Sequence, residues 1–292
     1  MGKIAVIFGM QRCGSNFFLS ACRRFEDLTV FGEMYHGDGA FPFQEDDAED
    51  FAIKQKLAAF ILERFSDDEV PLLETLDPAS LYTAETDAAI NKGLAQFTHE
   101  YPSQYFGAIK AAATDSRLIF KIFPEHLTML QILMVLREHR PQVILMTRDP
   151  VDSFISHKKL WETKNAQDVD TSGLQITFNR AEYYVYKSEL AAYFRCIQDY
   201  CFEEQIEVTV TSYEALHDDS QTHTHQQHKI EKVRLILEKI FQSPVVERAG
   251  SGQLKLFSRQ DQSESAADKV VNPEQLPRLA QHLLDESPIV QG

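Results

Sequence analysis

The 292-residue sequence predicts an α/β fold: a central parallel sheet with helices on both sides, in a single domain spanning 1–292. Three observations carry this. Short, mainly apolar runs rich in branched residues recur at 4–8, 118–123, 143–146 and 206–210, unbroken at 4–8 and 143–146, the signature of strands covered on both faces. Between them lie stretches whose apolar residues repeat at helical spacing. Strands alternating with helices pair in parallel through crossovers and hold ligands at the strand carboxyl ends.

The first strand, Ile4 to Phe8, ends at Gly9, and a loop carrying Arg12, Cys13, Gly14, Ser15 and Asn16 follows. Phe18, Leu19, Cys22 and Phe25 then mark a helix. A strand, a tight glycine loop and a helix start make an anion cradle, because unpaired N–H groups and the positive dipole end meet there. Gly14 lets backbone approach the guest closely, and Arg12 adds a planar fork of donors for phosphate or sulfate oxygens. Thr29 to Phe31 predicts a short second strand, with Gly32 and Glu33 just past it.

The stretch 37–50 reads as acidic and irregular, and Ile53, Leu57, Phe60 and Ile61 as one face of a helix. From Ser66 to Arg117 the pattern blurs, with prolines at 71, 78 and 102 and only short helical pieces expected. The region 37–117 is therefore the candidate acceptor-binding insertion or lid. After the strand 118–123 comes a helix over 125–139. The strand 143–146 leads to Asp149 as N-cap and Pro150 at the first helical position, opening a helix to about Thr163. A long helix over 177–200, a strand at 206–210 and a helix carrying Ile230, Val233, Leu237, Ile240 and Phe241 complete the pattern.

Composition excludes several classes. The formal net charge of −15 argues against nucleic acid or an anionic membrane surface as partner. An anionic ligand then needs a local basic pocket inside an acidic shell. The four cysteines (13, 22, 196 and 201) form no C-x-x-C pair, so neither a disulfide framework nor a zinc site is expected. No stretch approaches the roughly 20 apolar residues of a membrane span, and the N-terminal apolar run is too short for a signal peptide. These readings place the protein in the cytoplasm, with no membrane insertion. The polar tract with His217, His223, His225 and His228 reads as a solvated loop.

The ATP and GTP phosphate loop requires Gly, four residues, then Gly-Lys-Ser/Thr, which this loop lacks. Arg12-Cys13-Gly14-Ser15 instead resembles the 5′-phosphosulfate loop of sulfotransferases, with Cys13 where serine is usual. The segment Val143 to Ser156 resembles that family's 3′-phosphate segment, in which an Arg-Asn/Asp-Pro corner leaves a strand and a serine follows eight residues after the arginine; here these are Arg148 and Ser156. Thr211 to Leu216 looks like the family's Tyr-Glu-Asp-Leu segment, read here as structural. Gln253 to Gln260, with Asn272-Pro273-Glu274 beyond, looks like its cofactor-covering C-terminal stretch.

The resemblance covers most of the chain outside 37–117 and implies a P-loop-like sulfotransferase fold. It implies 3′-phosphoadenosine-5′-phosphosulfate (PAPS) as donor and co-substrate, a small-molecule or glycan hydroxyl as acceptor, and no metal. Arg12, Cys13, Gly14, Ser15, Asn16, Arg148, Ser156, Arg259 and Gln260 would bind the donor, and Arg12 and Lys121 would supply cations at the bridging oxygen. The soluble animal-type enzymes place a catalytic histidine two residues after that lysine, where this chain has Phe123. Bacterial glycan and glycolipid members use a glutamate, and Glu33 matches it, with a raised pKa expected at a partly desolvated strand end. His36 and His126 are the fallback bases. Trp161 and the tyrosines 183, 184 and 186 are candidate ring contacts, and Lys158 and Lys159 candidate steering charges. A P-loop kinase or ATPase, or a non-catalytic nucleotide-binding relative, are the alternative readings.

Overall fold

Ile4–Gly9 (β1) sits at the centre of the sheet, hydrogen-bonded in parallel to Arg117–Ile122 (β4) on one side and Gln142–Thr147 (β5) on the other. A computed structural model describes residues 3–43, 47–64, 84–113, 117–163, 171, 173–217, 225–254, 256 and 265–277. Among these residues the sheet has six strands in the order β3-β2-β4-β1-β5-β6, with Leu28–His36 as β2, Gly39–Phe41 as β3 and Val208–Ser212 as β6. Every pairing is parallel except the edge hairpin β2–β3.

Side chains along β1 alternate between two cores, as a doubly covered strand requires. Val6 and Phe8 join Phe120, Ile122 and Leu145 on one face; Ala5 and Ile7 join Ile119, Phe123 and Ile144 on the other. The helices Asp47–Arg64 (α2), Ala84–Glu100 (α3), Pro102–Ala112 (α4), Met129–His139 (α5), Pro150–Thr163 (α6) and Arg180–Glu203 (α7) contribute to the first core. Ser15–Cys22 (α1), Tyr213–His217 (α8) and His225–Phe241 (α9) close the second. The expected fold class is therefore the observed one: a mainly parallel central sheet flanked by helices.

Capping chemistry sets several boundaries. Asp149 Oδ1 accepts from the backbone N–H groups of Val151 and Asp152, so α6 starts at Pro150 as expected. The helix expected from residue 125 begins instead at Met129, where Thr128 and Gln131 form a reciprocal capping box. The long helix begins at Arg180 rather than 177, because Asn179 caps Ala181 and Glu182.

The insertion departs from expectation in two places. Residues 84–112 form two full helices, not short pieces. Pro102 starts α4 rather than breaking a helix, and much of the burial along α3 and α4 falls on small or polar residues such as Ala95, Thr98, Ser103 and Ala108, which blur an apolar pattern. Residues 39–41, read as irregular, form the edge strand. Gly39 makes that possible: its φ is 133°, and a Cβ there would lie 2.5 Å from Asn91 Oδ1.

Replacing Asp149 by alanine removes both cap bonds from α6 and should cost about 1 kcal/mol. Urea denaturation of Asp149→Ala against the wild-type chain measures it.

Candidate active site at the strand carboxyl ends

β1 and its neighbours β4 and β5 all point their carboxyl ends to one edge, and that edge gathers the polar residues. The loop after β1 is tightly wound. Cys13 N–H donates to Met10 O, and Arg12 adopts a left-handed φ of 70°, rare for a residue with a side chain. Such strain is held only where surrounding structure over-determines it. Gly14 follows at φ 91° and leads into α1. The Cys13 side chain is buried beneath the loop, where desolvation pushes its thiol pKa up, so the residue offers its fold rather than its sulfur.

The corner after β5 lies against this loop. Arg148 Nη1 donates to the backbone carbonyl of Arg12 at 2.8 Å. Arg12 Nε donates to Ser156 Oγ, one side of α6, at 3.1 Å. Arg12, Arg148 and Ser156, singled out from separate motifs, thus meet in one cluster. Arg148 Nε is buried with no hydrogen-bond partner among the described residues, leaving guanidinium donor capacity unused among them.

The segment after β6, read from sequence as structural, braces both corners. Tyr213 packs its ring against Gly14, so close that a Cβ on Gly14 would lie 2.6 Å from Tyr213 Cδ2. The Arg148 guanidinium stands 4.4 Å from the centre of the same ring, and His217 stacks on that ring at 4.1 Å between centres. Glu214 Oε1 accepts the backbone N–H of Asp149 at 2.9 Å. Sequence reasoning missed this bracing role; its only signal was a Tyr-Glu pair directly after a strand.

On the other side of β1, Lys121 leaves β4 almost wholly buried, 3% exposed. Its Nζ lies 2.9 Å from Glu33 Oε1 and donates to Asn16 Oδ1 on α1. A register shift creates this pair. β2 pairs with β4 at Val30↔Ile119 and next at Glu33↔Lys121, so three steps along β2 match two along β4. Without the extra residue, Glu33 would share a face with Phe31; the bulge turns it to the side of Lys121.

His126 completes the group. It is 1% exposed, and its Nδ1 accepts the backbone N–H of Phe123 at 3.2 Å. Its Nε2 faces Glu33 Oε2 at 3.5 Å and, buried, makes no hydrogen bond among the described residues. Burial by itself would raise the Glu33 pKa, as the sequence suggested. The donor on His126 and the ammonium of Lys121 outweigh burial and hold it down at about 2. The expected raised pKa is thus reversed in the ligand-free chain.

Glu33, His126 and His36 bring three ligand-type atoms within 4.8 Å of one another, close enough for an ion to bridge. The imidazole chemistry does not fit one. His36 Nδ1 accepts the Asp38 N–H at 3.1 Å, as His126 Nδ1 accepts that of Phe123. A ring nitrogen that accepts leaves the proton on its partner, whereas a metal-binding histidine donates its second N–H outward.

The remaining candidates are placed plainly. Ser15 is buried in the first turn of α1. Lys159 is buried and donates to Thr171 O, and Lys158 pairs with Glu182, so neither is a free steering charge. Trp161 is 71% exposed, while Tyr183 and Tyr186 are core residues and Tyr184 is exposed. Arg259, Gln260 and His223 lie outside the described residues. His225 and His228 belong to α9, not to a loop. No described helix is long and apolar enough to cross a membrane.

No protein-family model matches the sequence, and no curated protein matches it. Among solved structures, a sulfotransferase domain from the curacin biosynthetic pathway is similar in chain path, at 14% identity and a TM-score of 0.43 over 94% of this chain and 85% of that one. Residue roles therefore rest on this chain's own geometry.

Two outcomes follow. Gly14→Ala should destabilise the fold by roughly 1–2 kcal/mol from the left-handed backbone alone, plus the clash with Tyr213, and thermal unfolding will show it. Because the folded Glu33 pKa is depressed to about 2, its contribution to stability is present above the unfolded value near 4.5 and lost as pH falls through the folded one. The stability gap between wild type and Glu33→Gln should be constant near pH 7 and shrink as the pH is lowered from 4.5 toward 2, read from urea midpoints across that range.

Proposed function

We propose that this protein is a PAPS-dependent sulfotransferase that moves a sulfuryl group to an acceptor hydroxyl on a carbohydrate or carbohydrate-containing metabolite. The observation that carries the reading is the meeting of Arg12, Ser156 and Arg148 at two adjoining strand exits. Two loops that grip opposite ends of one doubly phosphorylated adenosine must adjoin, and these do. The unsatisfied, buried Nε of Arg148 supports an anionic guest at that corner. The alternative of a kinase or ATPase has no Gly-Lys-Ser/Thr to stand on.

In the proposed reaction the acceptor oxygen attacks sulfur, the bond from sulfur to the bridging phosphate oxygen breaks, and charge collects on that oxygen. Arg12 and the ammonium of Lys121 offset it. The acceptor proton passes to Glu33, whose carboxylate is ionised and a quarter exposed at the cleft. Glu33 is a weak base as the chain stands because His126 and Lys121 together outweigh burial, Lys121 supplying part of that hold. Drawing Lys121 toward the developing charge on the donor relieves that hold and raises the basicity of Glu33 as transfer begins. The acceptor class rests on the match of Glu33 to the bacterial glycan-type pattern.

Calorimetry distinguishes the readings. The chain should bind adenosine 3′,5′-bisphosphate without metal and show no comparable heat with ATP plus magnesium; the reverse preference would sink the proposal. Arg148→Ala should weaken that binding by about tenfold or more, as loss of a charged hydrogen-bonding partner does. Glu33→Gln should bind the nucleotide normally yet abolish transfer of radiolabelled sulfate from PAPS to carbohydrate acceptors.

A further inference from the structure

The group around Glu33 contains a buried imidazole that the proposed reaction does not use. His126 lies on the turn after β4, tied back by its own N–H to Phe123 O at 3.0 Å. Its ring packs against Phe123 at 5.2 Å and His36 at 5.6 Å between centres. Backbone geometry fixes its tautomer. The Phe123 N–H occupies the Nδ1 lone pair, so the proton resides on Nε2, and protonating both nitrogens would set two N–H groups against each other. The ring cannot take a proton from an acceptor at Nε2, which excludes it as the base. It is a fixed donor with one target in reach.

We propose that His126 is the positioning residue of Glu33: its Nε2–H holds one carboxylate oxygen while Lys121 holds the other, and the pair fixes which lone pairs Glu33 turns to the acceptor. The consequence for reaction rests on the sulfotransferase reading; the placement of a buried, unpartnered Nε2 3.5 Å from Glu33 Oε2 does not. All groups facing Glu33 must be counted, since each biases its charge. Lys121 faces it from β4, His126 from the turn after β4, and His36 from β2 itself. Asp38, at the β2–β3 turn, sits 3.8 Å from His36. Asn16 of α1 acts through Lys121. Beyond β3, Lys54 is held between Asp50 and Asp87 at 2.9 Å each.

Two substitutions separate the two ends of the ring. His126→Asn can keep an acceptor for the Phe123 N–H but loses the donor toward Glu33. His126→Gln can keep a donor near the Nε2 position but loses the acceptor. Glu33 is followed by carbon-13 carboxyl NMR through an acid titration of the ligand-free chain. In His126→Asn its midpoint should move up by about one pH unit, the size of a lost charge-assisted hydrogen bond. In His126→Gln it should stay near the wild-type value. Equal movement in both variants would mean a merely structural role, and no movement in either would remove His126 from the pair; both results overturn the proposal. Nitrogen-15 spectra of the unsubstituted protein test it without any variant: the neutral ring protonated at Nε2 is expected, and a proton on Nδ1 overturns it. If these titrations come out as expected while no sulfate transfer is found, the positioning role stands and the sulfotransferase reading alone fails.

Discussion

A buried ammonium cannot be left unpaired, and Lys121 is the constraint from which the site is built. Taking that charge out of water costs several kcal/mol unless a partner of good geometry meets it. The chain meets it twice, with Glu33 from β2 and Asn16 from the first turn of α1. One of these partners comes from the helix that follows the Arg12 loop and the other from the strand beyond β4. Satisfying one lysine therefore fixes the glycine loop, the start of α1 and the middle of β2 relative to each other. The register shift in β2 is part of the same solution, since an unshifted strand would send the carboxylate into the opposite core.

The other half of the site is held by rings and a carboxylate rather than by a buried charge pair. Tyr213 lies between Gly14 and the Arg148 guanidinium, and Glu214 takes the N–H of Asp149. Both come from the short helix after β6, at the edge of the sheet. The two corners after β1 and β5 are thus positioned by a third strand exit. The ring contact spends no guanidinium donor: Arg148 Nη1 goes to Arg12 O, and Nε has no hydrogen-bond partner among the described residues.

Much of this was legible in the sequence because it depends on local rules. Unbroken apolar runs gave the central strands, and Asp149-Pro150 gave the start of α6 to the residue. Arg12, Arg148 and Ser156 stood out because the segments that carry them, each opening at a strand exit, resemble two sulfotransferase motifs. What did not show depends on contacts between distant segments. The bulge in β2 has no local mark: Phe31-Gly32-Glu33 reads as a strand end, and only pairing with β4 reveals the extra residue. The sign of the Glu33 pKa shift failed for the same reason, since burial can be guessed from position but the approach of Lys121 and His126 cannot. Pro102 misled because a proline within a blurred stretch reads equally as a break or a start.

The Lys121–Glu33 pair also bears on why a base with so low a pKa is compatible with proton transfer. In the ligand-free chain a strongly basic carboxylate beside a buried ammonium would give up its ionised form only at a large electrostatic cost, so the two charges hold each other. In the proposed reaction the same ammonium is needed at the oxygen that leaves with the donor phosphate. Lys121 cannot serve both demands fully, so whatever it gives to the donor it withdraws from Glu33. By linkage the converse holds: a protonated Glu33 frees Lys121 for the donor. Proton acceptance on one side of the transferring group and charge neutralisation on the other are then one event seen from two ends. His126 lets that exchange occur without loss of geometry, because its donor stays on Glu33 when the lysine turns away.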